Sequence, residues 1–389
     1  MEPQARRGRG GRHPRPQPSS TPPIALARSP SRWDDPSGGG GRPVRQRVDL
    51  DWGNLGFSYL RTPWRFQAEH RDGAWSEGGL VADATITVEE GACALHYAQQ
   101  CFEGLKAFTT PEDRSVLFRP LENARRMADS ARRLLMPPPP EELFLHAVRE
   151  CVRANEAYMP PHGLGAALYV RPLLIGVGDN LGLRPAPRYL LRVFCSPVGP
   201  YFKGGMKAIR LRVSRHDRVA PQGTGAFKVG GNYAGGLLAT AEAKAAGYDE
   251  ALYLDPIEHR WLEEAGSANV FGVLPPRARG GKARLVTPAS DSILPSVTMA
   301  SVLTLAAEDL GLEVERRRVA IDEVADFLEM GCTGTAAVIT PVSVVHDGAN
   351  DVQVGDGAAP GPVTRELYAR LTGIQRGTLP DPRGWVVTV

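Results

Sequence analysis

Two stretches, "AALYVRPLLIGVG" and "RYLLRVFCSPVG", are almost unbroken runs of apolar residues bounded by Gly and Pro. Runs of that length and bounding predict buried strands. "VADATITVEE" alternates apolar with polar and predicts a strand with one face buried. "RPLENARRMADSARRLLMP" has helical spacing and stops at Pro137. "PPPPEELFLHAVRECVRANEAYMPP" predicts a helix between prolines, with Glu141 and Glu142 in its first turn and Pro160 ending it. In the second half the periods alternate. "AIRLRVS", "EALYLD", "ANVFGVL", "ARLVTP", "LEVERRRV" and "AAVITPVSVV" predict strands. Between them, helices are predicted over residues 232–246, capped by Gly247, over "VTMASVLTLAAEDLG", closed by Gly311, and over "DEVADFLEMG". The mixture predicts an α/β (α+β) protein of two unequal halves without an internal repeat. "PVGPYFKGGMK" lacks periodicity, so the inter-domain connection is expected at 199–207, between a domain over 46–198 and another over 208–389.

Composition narrows the class. The chain has 389 residues and a formal net charge of +3, unevenly spread. Residues 1–45 hold nine arginines against three acids, whereas the remainder holds 37 basic against 40 acidic residues. The first 45 residues, rich in Arg, Gly and Pro, are read as a disordered extension that cannot bury enough to fold alone. The slightly acidic remainder gives no electrostatic footprint for nucleic acid. No apolar run reaches membrane-spanning length, and no partner in a membrane is expected. Cys93, Cys101, Cys151, Cys195 and Cys332 are odd in number, widely spaced and without C-x-x-C. Neither a disulfide framework nor a metal site is expected, and a reducing cytoplasmic location is.

The candidate chemistry begins at "GTGAFKVGGNYAGG", where Lys228 stands alone among glycines. A phosphate-binding P-loop needs Gly before the lysine and Ser or Thr after it, and both are missing. "GVGDNLG" is one residue too long for a dinucleotide fingerprint, and no helix follows it. A covalent role fits better. Phe227 and Val229 are apolar and no acid lies within ten residues of Lys228. Such surroundings favour a neutral amine, which can condense with an aldehyde cofactor. A surface lysine beside a flexible turn remains open on this segment alone. A pyridinium cofactor also needs a carboxylate at its ring nitrogen and donors for its phosphate. "WLEEAGSANVF" offers Glu263 or Glu264, the helix start after Pro295 offers Val297 and Thr298, "TGTAAVITP" offers Thr335, and "ENARRMADS" offers Arg126.

Together these motifs resemble the branched-chain amino-acid aminotransferases, fold type IV pyridoxal-phosphate enzymes of the D-alanine-aminotransferase-like class. The resemblance runs from about Asp49 to Trp385, through "LHYAQQCFEGLKAF", "LYVRPLLIGVGDNLGLRPAP", "GTGAFKVGGNYAGGLLA", "WLEEAGSANVFGV", "ILPSVT", "GTAAVITPVSVV" and "IQRGT". It implies the two-domain D-amino-acid-aminotransferase-like fold, with a small N-terminal α/β domain and a larger mixed domain that anchors pyridoxal 5'-phosphate. Lys228 is implied as Schiff-base lysine and acid–base, Tyr233 as donor to the cofactor's O3′, and Glu264 as partner of the ring nitrogen. Arg126, Val297, Thr298 and Thr335 are implied for the phosphate, and Ser267 for the cofactor. Tyr97, Phe102, Tyr169, Arg171 and Ala336 are implied for the substrate. Tyr201, Leu181 and Leu183 match pocket positions near a dimer interface, the two leucines reaching over from a neighbouring subunit. A homodimer is therefore implied.

The implied reaction moves the amino group of L-leucine, L-isoleucine or L-valine to 2-oxoglutarate, reversibly, in biosynthesis or degradation. A relative acting on an unusual amino acid in a specialised pathway, or a non-catalytic binding relative, are the alternatives. Three positions depart from the commoner family pattern. Ser267 stands where Thr is frequent, Ser296 where Gly is frequent, and Met299 where a basic residue is usual. The C-x-x-C of some relatives is replaced by Ala337 and Thr340, so no thiol switch is expected.

Overall fold

The computed structural model describes residues 45–200, 206–357 and 360–389. The Arg-rich extension before Arg45 and most of the expected connection at 199–207 lie outside the described residues. What is described folds around two sheets, each of nine strands. The first contains β1 (Arg65–Arg71), β2 (Ala74–Trp75), β3 (Gly79–Val81), β4 (Gln100–Phe102), β5 (Leu105–Thr109), β6 (Ser115–Phe118), β7 (Ala167–Val177) and β8 (Arg188–Val198). Its spine is the β7–β8 pair, antiparallel over eleven residues each, from Ala167↔Val198 to Val177↔Arg188. These are the two apolar runs of the sequence, and most of their side chains are buried, as strands covered on both faces require. Helices α1 (Cys93–His96), α2 (Pro120–Arg133) and α3 (Glu141–Ala154) belong to this half. The apolar stripe of α3 (Phe144, Ala147, Val148, Cys151, Val152) joins Leu168, Leu191 and Val193 in one core.

The second sheet contains β9 (Ile209–Val213), β10 (Glu250–Leu254), β11 (Leu262–Ala265), β12 (Ala268–Leu274), β13 (Arg284–Pro288), β14 (Glu313–Arg317), β15 (Glu329–Gly334), β16 (Val338–His346) and β17 (Asp351–Gln353). Its order is β11-β10-β9-β16-β15-β12-β13-β14, and β11 also pairs with β12. That extra pairing closes six strands into a barrel, with β13 and β14 continuing outside it. One edge of β12 is covered by β15 from Asn269 to Val273. The other is divided: β11 takes Ala268 and Asn269, and β13 takes Gly272 to Leu274. The ladder forks between them. Helices α4 (Gly230–Ala234), α5 (Leu237–Ala245), α6 (Val297–Thr304) and α7 (Pro362–Gln375) surround this sheet. The last strand, β18 (Val386–Thr388), returns to the first sheet and pairs antiparallel with β6.

Most predicted elements are present, and the exceptions have physical causes. "VADATITVEE" forms no ladder beyond Val81. Its alternation is real, because Ile86 and Val88 lean on Ile175, Val177 and Leu190 of the β7–β8 pair without pairing to them. The segment 321–330 is not one helix. A 3₁₀ stretch, Ile321–Asp326, is followed by β15. Within β15, Gly331 leaves room for the ring of Phe271, which a Cβ would meet at 2.6 Å. The helix expected over 232–246 breaks at Gly235 and Gly236 into α4 and α5. Gly247 ends it at φ 85°, the left-handed conformation a glycine cap provides. Helix α7 had no counterpart in the sequence reading.

Candidate active site

Lys228 stands on a short link before α4, and its backbone is stitched on both sides. Phe102 of β4 donates its N–H to the Lys228 carbonyl at 3.1 Å, and the Lys228 N–H donates to Ser130 Oγ of α2 at 2.9 Å. Val229 bridges to Cys101. The side chain is thereby aimed across α4. Lys228 Nζ donates to Tyr233 Oη at 2.8 Å and lies 4.7 Å from the centre of the Phe102 ring. Burial, and then the charge of Arg126, bring the amine down to about 8, so a substantial neutral fraction exists near neutral pH. Burial pushes the Tyr233 hydroxyl the opposite way, well above its usual range, so it stays a phenol.

Glu264 is buried in β11. The Leu294 N–H donates to its Oε1, as does Asn269 Nδ2 at 3.1 Å, and Arg218 Nη1 lies 3.4 Å from Oε2. Burial still outweighs that arginine and raises the carboxyl to about 7. Glu263, its neighbour on β11, accepts instead from Ser290 Oγ at 2.9 Å.

Arg126, on α2, is held by a fully buried carboxylate. Its Nε and Nη2 meet Glu103 Oε1 and Oε2 at 2.7 and 2.8 Å, and Nη1 donates to the Pro295 carbonyl at 2.9 Å. This brings the guanidinium to the start of α6, where Ser296 caps the helix by accepting from the Met299 N–H at 3.1 Å. Glu103 is held below the usual carboxylate range: burial opposes this, and Arg126 overrides it. Val297, Thr298 and Thr335 line one small cavity with Gly104, and Thr335 Oγ1 donates to the Gly104 carbonyl at 3.2 Å. A Cβ at 104 would lie 2.2 Å from Tyr169 Oη, so a side chain there would have to displace that ring.

The expected substrate residues gather only in part. Phe102 packs against Tyr233 with ring centres 4.9 Å apart. Arg171 lies 4.9 Å from the Phe102 ring, and its Nη2 donates to Tyr169 Oη at 3.1 Å. Its Nε is buried without a partner, a donor waiting for an acceptor. Ala336 is fixed through its carbonyl, which accepts from Lys106 Nζ at 2.7 Å. Tyr97, Leu181, Leu183 and Ser267 do not join them. Tyr97 Oη donates to the Leu181 carbonyl at 2.6 Å on an exposed face where Leu181 and Leu183 are 91% and 83% exposed. Ser267 lies exposed in the β11–β12 turn. Tyr201 lies outside the described residues.

Sequence reasoning missed Glu103, Arg218, Asn269 and Lys106. Glu103 stands in the quoted "FEGLK", and an acid between Phe102 and Gly104 was its one signal. Lys106 is buried, and desolvation followed by the charge of Arg376 brings its amine down to about 7.

The arrangement — a lysine amine poised for condensation, a buried carboxylate, and a cation at a helix start — fits a covalent aldehyde cofactor with a ring cation and an anionic tail. The family model for amino-transferase class IV matches residues 100–345. The chain is 49% identical over 343 residues to a branched-chain-amino-acid aminotransferase of Helicobacter pylori, covering 88% of this chain and 98% of that protein. It is also 49% identical over 347 residues to one of Haemophilus influenzae, covering 88% and 99%. Its fold is similar to a crystal structure of the branched-chain amino acid aminotransferase from Thermobaculum terrenum in its PLP-form. The TM-score is 0.71 at 25% identity, over 84% of this chain and 98% of that one. The chain belongs to the amino-transferase class IV family, of fold type IV, and within it to the branched-chain-amino-acid aminotransferases.

Proposed function

We propose that this chain uses pyridoxal 5'-phosphate to move the amino group of L-leucine, L-isoleucine or L-valine to 2-oxoglutarate, reversibly, with Lys228 as covalent anchor and proton carrier. The observation that carries the residue assignment is the Lys228 amine, brought to about 8 and donating to Tyr233 Oη at 2.8 Å. Relatives named for this activity, at 49% identity over nearly their whole length, support the reaction.

The residues present fit the cofactor. Glu264, a buried carboxylate raised by desolvation, suits a protonated ring nitrogen. Arg126 at the capped start of α6, with the first-turn residues Val297 and Thr298 and the hydroxyl of Thr335, suits a phosphate. Bound there, the cofactor supplies an aldehyde that holds amines and a ring that takes up the electron pair left at the substrate's Cα. Lys228, once free as a neutral amine, takes the Cα proton and later returns it. Tyr233 keeps its own proton and orients Lys228. Phe102 and Tyr169 offer apolar surface, and Arg171 has an unmet N–H for a carboxylate. Discrimination among Leu, Ile and Val is loose, since one methylene is worth roughly 1–3 kcal/mol. The exposed pair Leu181 and Leu183 supports a homodimer. Five free, buried cysteines are in keeping with a cytoplasmic location.

Purified protein with pyridoxal phosphate is expected to show a visible absorption band that L-leucine bleaches and 2-oxoglutarate restores. Lys228→Ala is expected to lose turnover by ~10²-fold or more. Normal turnover in that variant would falsify the assignment. Poor reaction with all three branched-chain donors, in a protein that still carries the band, overturns the substrate reading alone.

A further inference from the structure

Arg218 stands between β9 and α4, ten positions before Lys228. Its side chain is 6% exposed and faces Glu264, whose side chain is 5% exposed. The guanidinium is pinned by two carbonyls. Nη2 donates to Gly225 O at 3.3 Å and to Ser292 O. Gly225 lies in the loop that carries Lys228, and Ser292 in the loop that leads to α6. These loops pack closely, since a Cβ at Gly225 would lie 2.2 Å from the Ser292 carbonyl oxygen. Held this way, Arg218 sets Nη1 3.4 Å from Glu264 Oε2. Glu264 Oε1 is already used, by the Leu294 N–H and by Asn269 Nδ2 at 3.1 Å. Oε2 accepts no hydrogen bond from the described residues and has the arginine charge beside it. A carboxyl buried this deeply turns neutral unless a charge opposes burial. Arg218 is the charge that opposes it most, ahead of Lys228, and Glu263 acts against both. Lys228 is no constant support, because the proposed reaction needs its amine neutral. An arginine keeps its charge throughout.

We propose that Arg218 is a positioning residue: it supports the ionised form of Glu264 with Oε2 open, so that the proton shared with the cofactor's ring stays on the ring nitrogen. This role rests on the transaminase reading above and adds which carboxylate oxygen meets the ring and what holds its charge. Without Arg218, the proton passes from the ring nitrogen to Oε2, because a buried ion pair that loses its supporting cation is costly. Nothing is gained or lost in that transfer except the charge on each partner. A ring without the proton takes up an electron pair less readily.

The test is the nitrogen-15 resonance of the holoenzyme loaded with pyridoxal phosphate labelled at its ring nitrogen. Wild type is expected in the pyridinium range. Arg218→Gln, polar but uncharged, should move the signal toward the neutral-pyridine range, and Arg218→Lys should bring it back. In Arg218→Gln, kcat for L-leucine and kcat/KM should fall together, at least tenfold, as for an interaction that acts in the transition state. A wild-type signal in Arg218→Gln overturns the proposal, as does a rise in KM alone. So does a neutral-pyridine signal in a wild type that turns over L-leucine. Urea unfolding of the cofactor-free protein at pH 8 covers the case in which Arg218→Gln loses its cofactor. Adding Glu264→Gln removes the carboxyl left without its cation, and should recover at least half of the stability lost. Equal losses in the single and double variants overturn the proposal. A wild type whose visible band L-leucine does not bleach sinks the transaminase reading instead, and the unfolding comparison still judges the Arg218–Glu264 pair.

Discussion

Two residues are central to the proposed chemistry of the site. As the proposed nucleophile, the Lys228 amine acts only when neutral, and burial together with Arg126 brings it to about 8. Uptake of pyridoxal phosphate by the cofactor-free protein should therefore accelerate about tenfold per pH unit below 8 and level off above it. Stopped-flow absorbance between pH 6 and 10 measures this, and a midpoint near the ordinary lysine value of 10.5 contradicts it. Glu103 is the second. Removing it strands Arg126 in a buried place, and breaking a buried pair from one side typically costs 3–5 kcal/mol. Glu103→Ala should lose roughly 3–5 kcal/mol in urea unfolding of the cofactor-free protein. A change under about 1 kcal/mol would mean that solvent reaches the pair. The pairing of Lys228 with Tyr233 was within reach of one short motif, whereas the choice of Glu264 over Glu263 came only from the family resemblance. Glu103, Arg218 and Lys106 were not legible, because their partners are remote in sequence. Glu103 meets Arg126 across 23 positions, and Lys106 meets Ala336 across 230. No local pattern encodes such a pairing.

Among the elements, α6 carries two of the phosphate-binding candidates, Val297 and Thr298, in its first turn. Its entry is fixed by Ser296, whose hydroxyl accepts from the Met299 N–H. Ser296→Ala removes the cap and should cost about 1 kcal/mol. Ser296→Gly should cost only a few tenths. Thermal unfolding of both variants checks the ranking, and equal losses would mean that the cap is idle. The strands of the second half were legible where apolar runs were bounded by Gly or Pro. The segment 321–330 was not. Val324, Phe327 and Met330 recur at helical intervals, yet β15 is drawn into the barrel by pairing with β12 and β16. Tertiary pairing overrode local period there, as it commonly does for short apolar segments. The same holds for 82–89, whose alternation reports contact with a sheet without membership of it.

For the molecule as a whole, the unequal halves and the mixed class were readable from the alternation of periods. The closure of the barrel and the fork on β12 were not, since both follow from which edge two distant strands choose. Leu181 and Leu183 stand exposed, and the proposed homodimer would cover them. Leu181→Asp with Leu183→Asp is expected to shift the sedimentation coefficient from dimer to monomer and lower kcat/KM at least tenfold. A dimer of unchanged activity would remove these residues from the interface.

The return of β18 to β6 has a consequence for how the chain is made. The two strands are separated by roughly 270 positions, so β6 keeps an open edge until β18 has been synthesised. At about 5–20 residues per second that wait lasts tens of seconds, with a strand of fully buried residues presenting unpaired N–H and C=O groups. The first sheet is thus begun early and finished last. A nascent chain that stalls, or one trimmed before Val386, carries a strand edge open to other chains.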